Sequence, residues 1–448
     1  MTDVSYTQAR EQPGPLRLIM RVLSIRPDEL AAVAWSFLYF FCILSAYYML
    51  RSVREAMAIV GGVQNIPWLF TGTFFSMLVA TSVFGWIASR YPRRTFLPWI
   101  YYFFVANILI FFGAFSYTQS TDASQVWISR TFFVWLSVFN LFVVSVFWSF
   151  MADIYSKEQS RRLFGVITAG GSAGALIGPI VTSVLVVQVG FRNLLPLSAL
   201  LLTLAVVCIY RLRRWVKQQH ADQPPAEVDD VESKKAMGGS AWDGMKFVLT
   251  QPYFAAIATA LACANFLGGA TYIYMAQLVS ETFDGTDRQT QVFAIMDALI
   301  NTIAFVSQLL VLRLSVKRIG IGWTLSLLPI ISVVGFAVLA LQPVFIVIAC
   351  VHVLRRGLGF GFTKPTTDML YAVVTPEAKY KAKNFIDTAV YRGWDVLTSW
   401  TIRAMGGIGL SGVALVCVPI ALIWSSLVLW IGRDYKRRDQ AISEGLAT

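Results

Sequence analysis

Charged residues are scarce in this sequence: Asp, Glu, Lys and Arg together make up 14% of its 448 residues, whereas 56% of the residues are hydrophobic. A soluble domain typically contains about a quarter charged residues. A chain of this length with so few charges must present most of its surface to lipid rather than to water. The composition therefore predicts an integral membrane protein.

Paired cysteines and clustered histidines are also missing. The sequence has two histidines, and each of its five cysteines stands alone inside an apolar run, at Cys42, Cys208, Cys263, Cys350 and Cys417. Isolated cysteines of this kind are typical small core residues. We therefore predict neither a disulfide nor a metal site.

Motifs that would identify a pump or an enzyme are absent as well. No phosphate-binding Gly-rich loop of the Walker type occurs in the sequence, so we do not expect a primary ATP-driven pump. No H-E-x-x-H or G-x-S-x-G motif occurs either, so no catalytic residues can be assigned. The sequence predicts a protein that is not an enzyme and needs no cofactor.

Apolar runs long enough to cross a bilayer, which takes about 20 residues, account for most of the chain. We count twelve such runs, at 31–56, 66–89, 95–117, 130–153, 164–188, 193–210, 252–279, 290–313, 319–341, 343–363, 384–405 and 408–432. The expected fold is therefore an all-α membrane protein with about twelve transmembrane helices.

One long polar segment divides these runs into two groups of six. It contains Pro224, Pro225 and several acidic residues, which is typical of a flexible linker. Two six-helix halves joined in this way resemble the major facilitator fold. The predicted organisation is an N-terminus at 1–28, helical bundles at 29–210 and 251–432, a linker at 211–250 and a tail at 433–448.

The distribution of positive charge predicts the orientation. If the termini, the linker and the even-to-odd loops are cytoplasmic, they hold all but seven of the 37 Lys and Arg residues, the others being Arg51, Arg54, Arg130, Arg192, Arg288, Arg392 and Arg403. Such a bias is the positive-inside rule of bacterial inner-membrane proteins. The net charge of +12 then reflects topology rather than a nucleic-acid partner. The expected partners are membrane lipids and a small-molecule solute, with the oligomeric state left open.

A basic loop follows the second predicted span and reads Gly85-Trp-Ile-Ala-Ser-Arg90-Tyr-Pro-Arg-Arg94. It resembles the major facilitator loop signature G-x-x-x-D-R-x-x-R-R, with Ser89 in place of the usual Asp. In that family the loop controls the change between conformations, which implies a gating role for Gly85, Arg90 and Arg94. The alternative interpretation is a basic turn that only sets the topology.

The fifth predicted span contains Gly174 and Gly178 four residues apart, followed by Pro179. Small residues at this spacing let two helix backbones approach closely, and proline bends a helix. We interpret the three residues as a sliding surface for conformational gating, with ordinary tight packing as the alternative.

Ionisable residues inside spans are costly and usually face a cavity or a partner. The first span ends with Tyr47, Arg51, Arg54 and Glu55. Arg51 and Arg54 share a helix face, and Glu55 is placed to pair with Arg51. These residues predict a cationic patch for an anionic solute, unless the helix has already left the bilayer at this point.

The eleventh predicted span carries Asp387, Tyr391 and Asp395 at four-residue intervals, with Arg392 beside them near mid-bilayer depth. One interpretation is a structural ion pair between Arg392 and one of the two carboxylates. The other is a site at which Asp387, Tyr391 and Arg392 bind solute while Asp387 and Asp395 exchange protons.

Two further ionisable residues lie within spans. Asp297 stands alone in the eighth span, where a carboxylate can bind solute, exchange a proton during transport or form a hydrogen bond between helices. His352 lies in the tenth span beside Arg355 and Arg356, and we interpret it as a packed interior residue rather than a proton shuttle.

Several segments together resemble the ATP/ADP translocases of plastids and intracellular bacteria. Tyr48-Met-Leu-Arg51-Ser-Val-Arg54-Glu55 is similar to their L-R-D-x-K-D region, and Phe147-Trp-Ser-Phe-Met-Ala-Asp153 to their F-W-G-F-x-N. The stretch from Phe362 to Tyr371 is similar to F-D-P-T-K-E-M-x-Y. The stretch from Lys381 to Gly393 is similar to K-x-K-G-K-A-x-I-D…R-x-G. The resemblance implies a carrier fold and places this chain among distant relatives.

The residues that contact the nucleotide in that family are only partly retained. Arg54 keeps the charge of the first-helix Lys, and Asp297 is in place of the eighth-helix acid. Asn140 replaces a Glu, Thr367 replaces a Lys, and Trp394 or Asp395 is near the position of another Lys. A missing Lys removes a point charge suited to a polyphosphate.

The leading hypothesis is secondary active transport of a small anionic or zwitterionic organic solute by alternating access. The predicted solute-binding residues are Tyr47, Arg51, Arg54, Asn140, Asp297, Asp387, Tyr391 and Arg392, and those predicted to exchange protons are Asp297, Asp387 and Asp395. The alternatives are a nucleotide exchanger, a proton-coupled drug or siderophore transporter, and a membrane sensor that uses a transporter scaffold without transporting.

Overall fold

We analysed a computed structural model of the chain. It describes residues 25–90, 93–118, 123–219, 241–375, 382, 386 and 391–444, without the side chains at 84, 87–89, 93–96, 219, 241–245 and 391–392. Within these ranges the chain is helical apart from short turns and contains no β-strand. The predicted all-α class is therefore confirmed.

The first group of helices fills the chain up to the linker. Its six long members are α1 (Leu30–Val60), α2 (Ile66–Arg90), α3 (Arg93–Tyr117), α4 (Ala123–Ile154), α5 (Lys157–Val189) and α6 (Phe191–Gln219). They are 25 to 33 residues long, longer than the roughly 20 residues that span a bilayer. Their ends therefore extend beyond the hydrocarbon core.

The second group begins after the linker. It comprises α7 (Ala241–Thr250), α8 (Pro252–Thr282), α9 (Thr286–Val306), α10 (Leu312–Leu341), α11 (Phe345–Leu358), α12 (Lys364–Met369), α13 (Tyr391–Ala404) and α14 (Gly409–Ser443). Short π-helical segments, Ser307–Val311 and Gly359–Thr363, continue α9 into α10 and α11 into α12.

Ten helical stretches in the described part of the chain are long and apolar enough to cross a membrane. One of them, 286–341, contains two of the predicted spans. Gly320 in its middle has φ 81°, a conformation that a helix cannot pass through, so the backbone turns there between the two spans. The predicted span 384–405 is described only at residue 386 and from residue 391 onward. The 14-residue α13 accounts for most of this described part.

Helix occupies both ends of the segment predicted as a linker at 211–250. α6 continues to Gln219, and α7 occupies Ala241–Thr250. The part around Pro224 and Pro225 that the sequence predicts to be flexible lies outside the described residues. The extension of α6 is stabilised by packing, because Leu212 is fully buried and the Trp215 indole N–H donates to the Asp28 carbonyl oxygen at 3.1 Å. Arg211, Arg214 and Lys217 of this extension are exposed, whereas Arg213 is half-buried.

The buried apolar side chains form two large clusters. One is drawn from residues 25–212 and the other from residues 248–431. Tyr39 lies at the centre of the first cluster, where its ring meets Phe147 edge-on at 4.9 Å and its hydroxyl donates to the Tyr101 hydroxyl at 2.6 Å. Each helical group thus has a core of its own, which accords with the division into two bundles.

Helices α1 and α5 are in backbone contact along a stripe of glycines. A Cβ atom added at Gly174 would lie 2.5 Å from the Phe41 carbonyl oxygen, and one at Gly178 would lie 2.9 Å from the Ser45 carbonyl oxygen. Pro179 lies within α5 just after this stripe. The predicted small-residue face therefore packs directly on α1, and its role in gating stays a prediction.

A buried carboxylate fixes the start of α1 to the start of α5. Glu29 is 1% exposed, and its side chain accepts hydrogen bonds from Arg162 at 2.8 and 3.2 Å, from Gln159 at 3.0 Å and from the Arg26 backbone N–H at 3.1 Å. Burial raises the pKa of this carboxyl. The hydrogen bonds from Arg162, the Arg26 backbone and Gln159 outweigh burial and hold the pKa below its ordinary value of 4.5.

We expect Glu29→Gln to lower the free energy of unfolding by about 1–3 kcal/mol at pH 7, because charged hydrogen bonds at a buried site are lost. A carboxyl with a depressed pKa stabilises the fold above its unfolded-state pKa, and this contribution disappears as the pH falls through the folded-state value. The difference between the two proteins should therefore be full above about pH 4.5 and shrink below it.

Thermal unfolding as a function of pH measures this difference. Glu158→Gln is the matched control, because the Glu158 side chain is 69% exposed and bonds only at the surface to Arg26 and Arg162. A change in stability as large for Glu158→Gln as for Glu29→Gln would contradict the proposed cause.

Candidate functional site

An ion pair joins the two groups of helices in the interior of the protein. Arg51 of α1 places Nη2 at 3.4 Å from Oδ1 of Asp297 on α9, and the two side chains are 4% and 5% exposed. The Arg51 guanidinium also lies 5.4 Å from the Tyr48 ring centroid. Two residues singled out separately from the sequence are thus direct partners.

Arg54 contacts a second carboxylate on the same helix. Its Nη2 lies 2.7 Å from Oε1 of Glu55, and its Nη1 donates to the Ser137 hydroxyl of α4 at 3.3 Å. The guanidinium also stacks over the Phe133 ring at 4.6 Å from the centroid. Arg54 is therefore held by a charge, a hydroxyl and an aromatic face.

Glu55 provides the second link between the helical groups. Its Oε2 accepts a hydrogen bond from the Tyr272 hydroxyl of α8 at 2.5 Å, while Oε1 lies 3.9 Å from Nε of Arg51. The carboxylate is thereby shared among two arginines and a phenol, an arrangement that offsets the cost of burying its charge.

These residues lie at a common depth in their helices. Arg51 is nine residues from Val60 at the end of α1, and Asp297 is eleven residues from Thr286 at the start of α9. At 1.5 Å per residue these separations are roughly 14 and 17 Å, two to three helical turns. Arg51 is buried in the protein interior, and its position inside the bilayer stays a prediction.

Arg356 of α11 adds a third guanidinium. It interacts electrostatically with Asp297 and Glu55, but no carboxylate in the described part of the chain lies within 4.0 Å of it. We call Arg51, Arg54, Glu55, Tyr272, Asp297 and Arg356 the central ionic cluster. Three guanidinium groups face two carboxylates in this cluster, which leaves it with one excess positive charge.

Some buried polar atoms of the cluster have no hydrogen-bond partner among the described residues. They are Oδ2 of Asp297, Nε of Arg54 and Nη2 of Arg51, the last of which contacts Asp297 only as an ion pair at 3.4 Å. Buried polar atoms are normally hydrogen-bonded, so each such exception requires an explanation. A carboxylate oxygen and a guanidinium nitrogen at the same site suit a ligand that has both an acceptor and a donor.

The remaining predicted site residues fall into three sets. Tyr47 contacts Tyr48 edge-on at 5.2 Å, next to the cluster, and Asn140 is half-buried one helical turn after Ser137. Asp395 is half-buried on α13. The rest lie outside the described part of the chain, namely residue Asp387 and the side chains of Tyr391 and Arg392.

The predicted gating loop is described only in part. Gly85 is exposed, and the Arg90 guanidinium lies over the Trp86 ring at 5.3 Å from its centroid. The side chain of Arg94 is outside the described residues. A gating function of the loop stays a prediction.

Further contacts between the two helical groups lie at one end of the molecule. At the end where α1 meets α2, Arg403 donates to the Gln64 carbonyl oxygen at 2.7 Å, and Trp400 donates to the Thr71 hydroxyl at 3.2 Å. Where α5 meets α6, the Phe191 backbone N–H donates to Asp287 at 2.7 Å. The positive-inside rule predicts that this end faces away from the cytoplasm.

Sequence reasoning missed several members of the site. Tyr272 follows a Gly-Gly pair in α8, and Phe133 and Ser137 belong to an apolar run of α4 without a motif. Their contacts with Glu55 and Arg54 cross the fold, which local spacing does not reveal. Arg356 did carry a signal, since it is a basic residue inside a predicted span.

Comparison with known proteins gives concordant results. The sequence matches the family model of the Major Facilitator Superfamily over residues 33–393. It is 21% identical to ADP,ATP carrier protein 2 of Chlamydia pneumoniae, over 94% of this chain and 92% of that carrier. This similarity confirms the translocase resemblance as a distant one.

Several solved structures share the fold. A bacterial homologue of the iron transporter ferroportin, in an inward-facing state, has a TM-score of 0.64 at 13% identity, with 90% of this chain and 99% of that chain covered. A POT family transporter in complex with 5-aminolevulinic acid has a TM-score of 0.59 at 11% identity, with 90% and 96% covered.

Proposed function

We propose, from the fact that this chain belongs to the Major Facilitator Superfamily, that it carries a small organic anion or zwitterion across the bacterial inner membrane. The chain is a multi-pass membrane protein of a transporter superfamily. The proposal adds the solute class, the membrane, cytoplasmic termini, and two bundles, 29–210 and 251–432, that move against each other.

The observation that carries the proposal is the excess positive charge of the central ionic cluster. Charges in the membrane interior are costly, so an uncompensated guanidinium there requires a function. A solute carboxylate or phosphate beside Arg356 would neutralise the excess. The phenol of Tyr272 and the ring of Phe133 would contact the organic part of the solute.

Alternating access is supported by where the helical groups meet. The cluster connects them near mid-depth through Arg51–Asp297 and Tyr272–Glu55, and the contacts of Trp400 and Arg403 connect them at one end. In alternating access, a carrier that is open to one side of the membrane has its two halves in contact at the other side. A related fold in an inward-facing state accords with this arrangement.

Proton coupling is a refinement that the geometry of Asp297 favours. A solute anion that binds Arg51 competes with the Asp297 carboxylate for the same guanidinium. A carboxylate deprived of its cation inside the membrane gains a proton readily. Solute binding would then favour protonation of Asp297, and the solute would be cotransported with a proton.

Nucleotide exchange is the second candidate, and the similarity to the chlamydial ADP,ATP carrier favours it. The replacement of lysines by Thr367 and by Trp394 or Asp395 reduces the positive charge available for a polyphosphate. One excess charge in the cluster suits a solute with fewer negative charges than ADP or ATP.

Reconstituted liposomes distinguish these candidates. We expect uptake of an organic anion from a metabolite panel to require an inward proton gradient and to lose that requirement in Asp297→Asn. ADP/ATP counterflow in the absence of a gradient, abolished by Arg54→Ala, would instead establish the exchanger. Absence of flux for every solute, with a cellular phenotype unchanged by cluster substitutions, would replace transport by a sensor function.

A further inference from the structure

A cavity lies away from the central ionic cluster, between the ends of α4 and α6. It has a volume of about 370 Å³ and is lined by Phe150, Asp153, Ile154, Tyr210, Arg213, Arg214, Val216 and Lys217. The transport proposal makes no use of it. Helix α4 contributes two apolar side chains and the carboxylate of Asp153 to this lining, and α6 contributes its three cations.

The cationic part continues the lipid-facing side of α6. Leu200, Leu204, Val207 and Tyr210 follow each other at intervals of three or four residues and are 64%, 38%, 42% and 47% exposed. Side chains at this spacing share one face of a helix. In a membrane protein an exposed apolar face of this kind contacts acyl chains, so the cavity opens at the end of a lipid-covered surface.

The change from apolar to charged residues marks the level of the lipid headgroups. The apolar face of α6 ends at Tyr210, and the exposed Arg214 and Lys217 follow one and two turns later. Arg213 adds a third cation, whereas Asp153 is the one carboxylate among the described residues of the lining. The cavity therefore combines a net positive charge with an adjoining apolar track.

We propose that this cavity binds the phosphate headgroup of an anionic phospholipid whose acyl chains lie along Leu200, Leu204 and Val207. Basic pockets between transmembrane helices at the membrane surface recognise such headgroups. A free phosphate would find the cations but would make no use of the apolar face. The exposed track thus favours a lipid over a soluble anion.

Native mass spectrometry of the full-length protein in neutral detergent, titrated with phosphatidylglycerol, tests the proposal. We expect Arg214→Gln/Lys217→Gln to weaken binding about 30-fold, because each cation near an anionic headgroup contributes roughly a factor of five. The matched control is Lys317→Gln/Arg318→Gln. It removes the same two charges from exposed positions in the other helical group and should change binding less than about twofold.

Competition experiments distinguish a lipid headgroup from a soluble phosphate compound. Inorganic phosphate and glycerophosphoglycerol, the headgroup without chains, should not displace the bound lipid. Displacement by either would overturn the lipid assignment in favour of a soluble anion. Equal weakening of lipid binding in both double variants would overturn the proposal, because the basic residues would then act only through the overall charge of the protein. Unchanged lipid binding in Arg214→Gln/Lys217→Gln would also overturn it and would leave the two residues a role only in setting the topology. A thermal unfolding curve like that of the unmodified protein establishes that the variant is folded.

Discussion

Replacement of Arg51 by Met is expected to destabilise the protein by about 3–5 kcal/mol, because it leaves the buried Asp297 carboxylate without its cation. Glu55 loses one of its two cations but keeps Arg54 at 2.7 Å. Asp297 has no comparable second partner within 4.0 Å among the described residues. The loss of stability should therefore come mainly from the unpaired Asp297 carboxylate.

The double variant Arg51→Met/Asp297→Leu separates stability from function. Replacing both partners of a buried ion pair by apolar residues is often neutral or stabilising, so the double variant should recover most of the lost stability while remaining inactive in transport. Chemical unfolding of the single and double variants in one detergent measures the coupling between the two residues. Destabilisation that simply adds in the double variant would show that the ion pair has no energetic role.

Arg356→Met is expected to lower transport of an anionic solute roughly 30-fold or more, because truncating one member of a buried charge contact with a ligand costs about 2–5 kcal/mol. Its effect on stability should be small. No carboxylate among the described residues lies within 4.0 Å of Arg356, so its removal orphans no ion-pair partner. Within one cluster, we thus expect loss of Arg51 to lower stability and loss of Arg356 to lower transport with little change in stability.

Initial uptake rates in liposomes, with unfolding midpoints measured in parallel, test this contrast. Arg356→Lys is the control, since it preserves the charge and should retain a substantial part of the activity. Equal loss in the Lys and Met variants, or a fall in stability as large as that of Arg51→Met, would assign Arg356 a structural role instead.

The class of fold could be predicted from the sequence because the apolar runs that determine it are distributed along the whole chain. Every run contributes to the number of predicted spans, so an error in one boundary does not change the predicted fold. The ends of helices are harder to predict, because tertiary packing can extend a helix beyond its apolar run. α6 continues past residue 210 to Gln219, and Trp215 in this extension contacts Asp28.

The candidate site could be predicted only as separate pieces. Helical spacing predicted the Arg51–Glu55 pair, which the structure has at 3.9 Å, but the shorter contact of Glu55 is with its neighbour Arg54. Tyr272 accounts for this difference, because its hydroxyl holds the other oxygen of Glu55. The partner of Arg51 lies 246 positions later, at Asp297, and no local pattern connects residues across that distance.

The glycine stripe between α1 and α5 has a mechanical consequence. Where backbone touches backbone, no side chain can change rotamer to let one helix turn against the other. If the two bundles move as proposed, we expect α5 and α1 to move together, with Arg51 and Arg54 on α1. Side chains meet instead at Asn301 of α9, whose amide donates to the Ala175 carbonyl oxygen at 2.9 Å, and we expect the movement between the helical groups to occur at such contacts. The pair α1–α5 would act as one lever arm that brings two guanidinium groups to the opposite bundle.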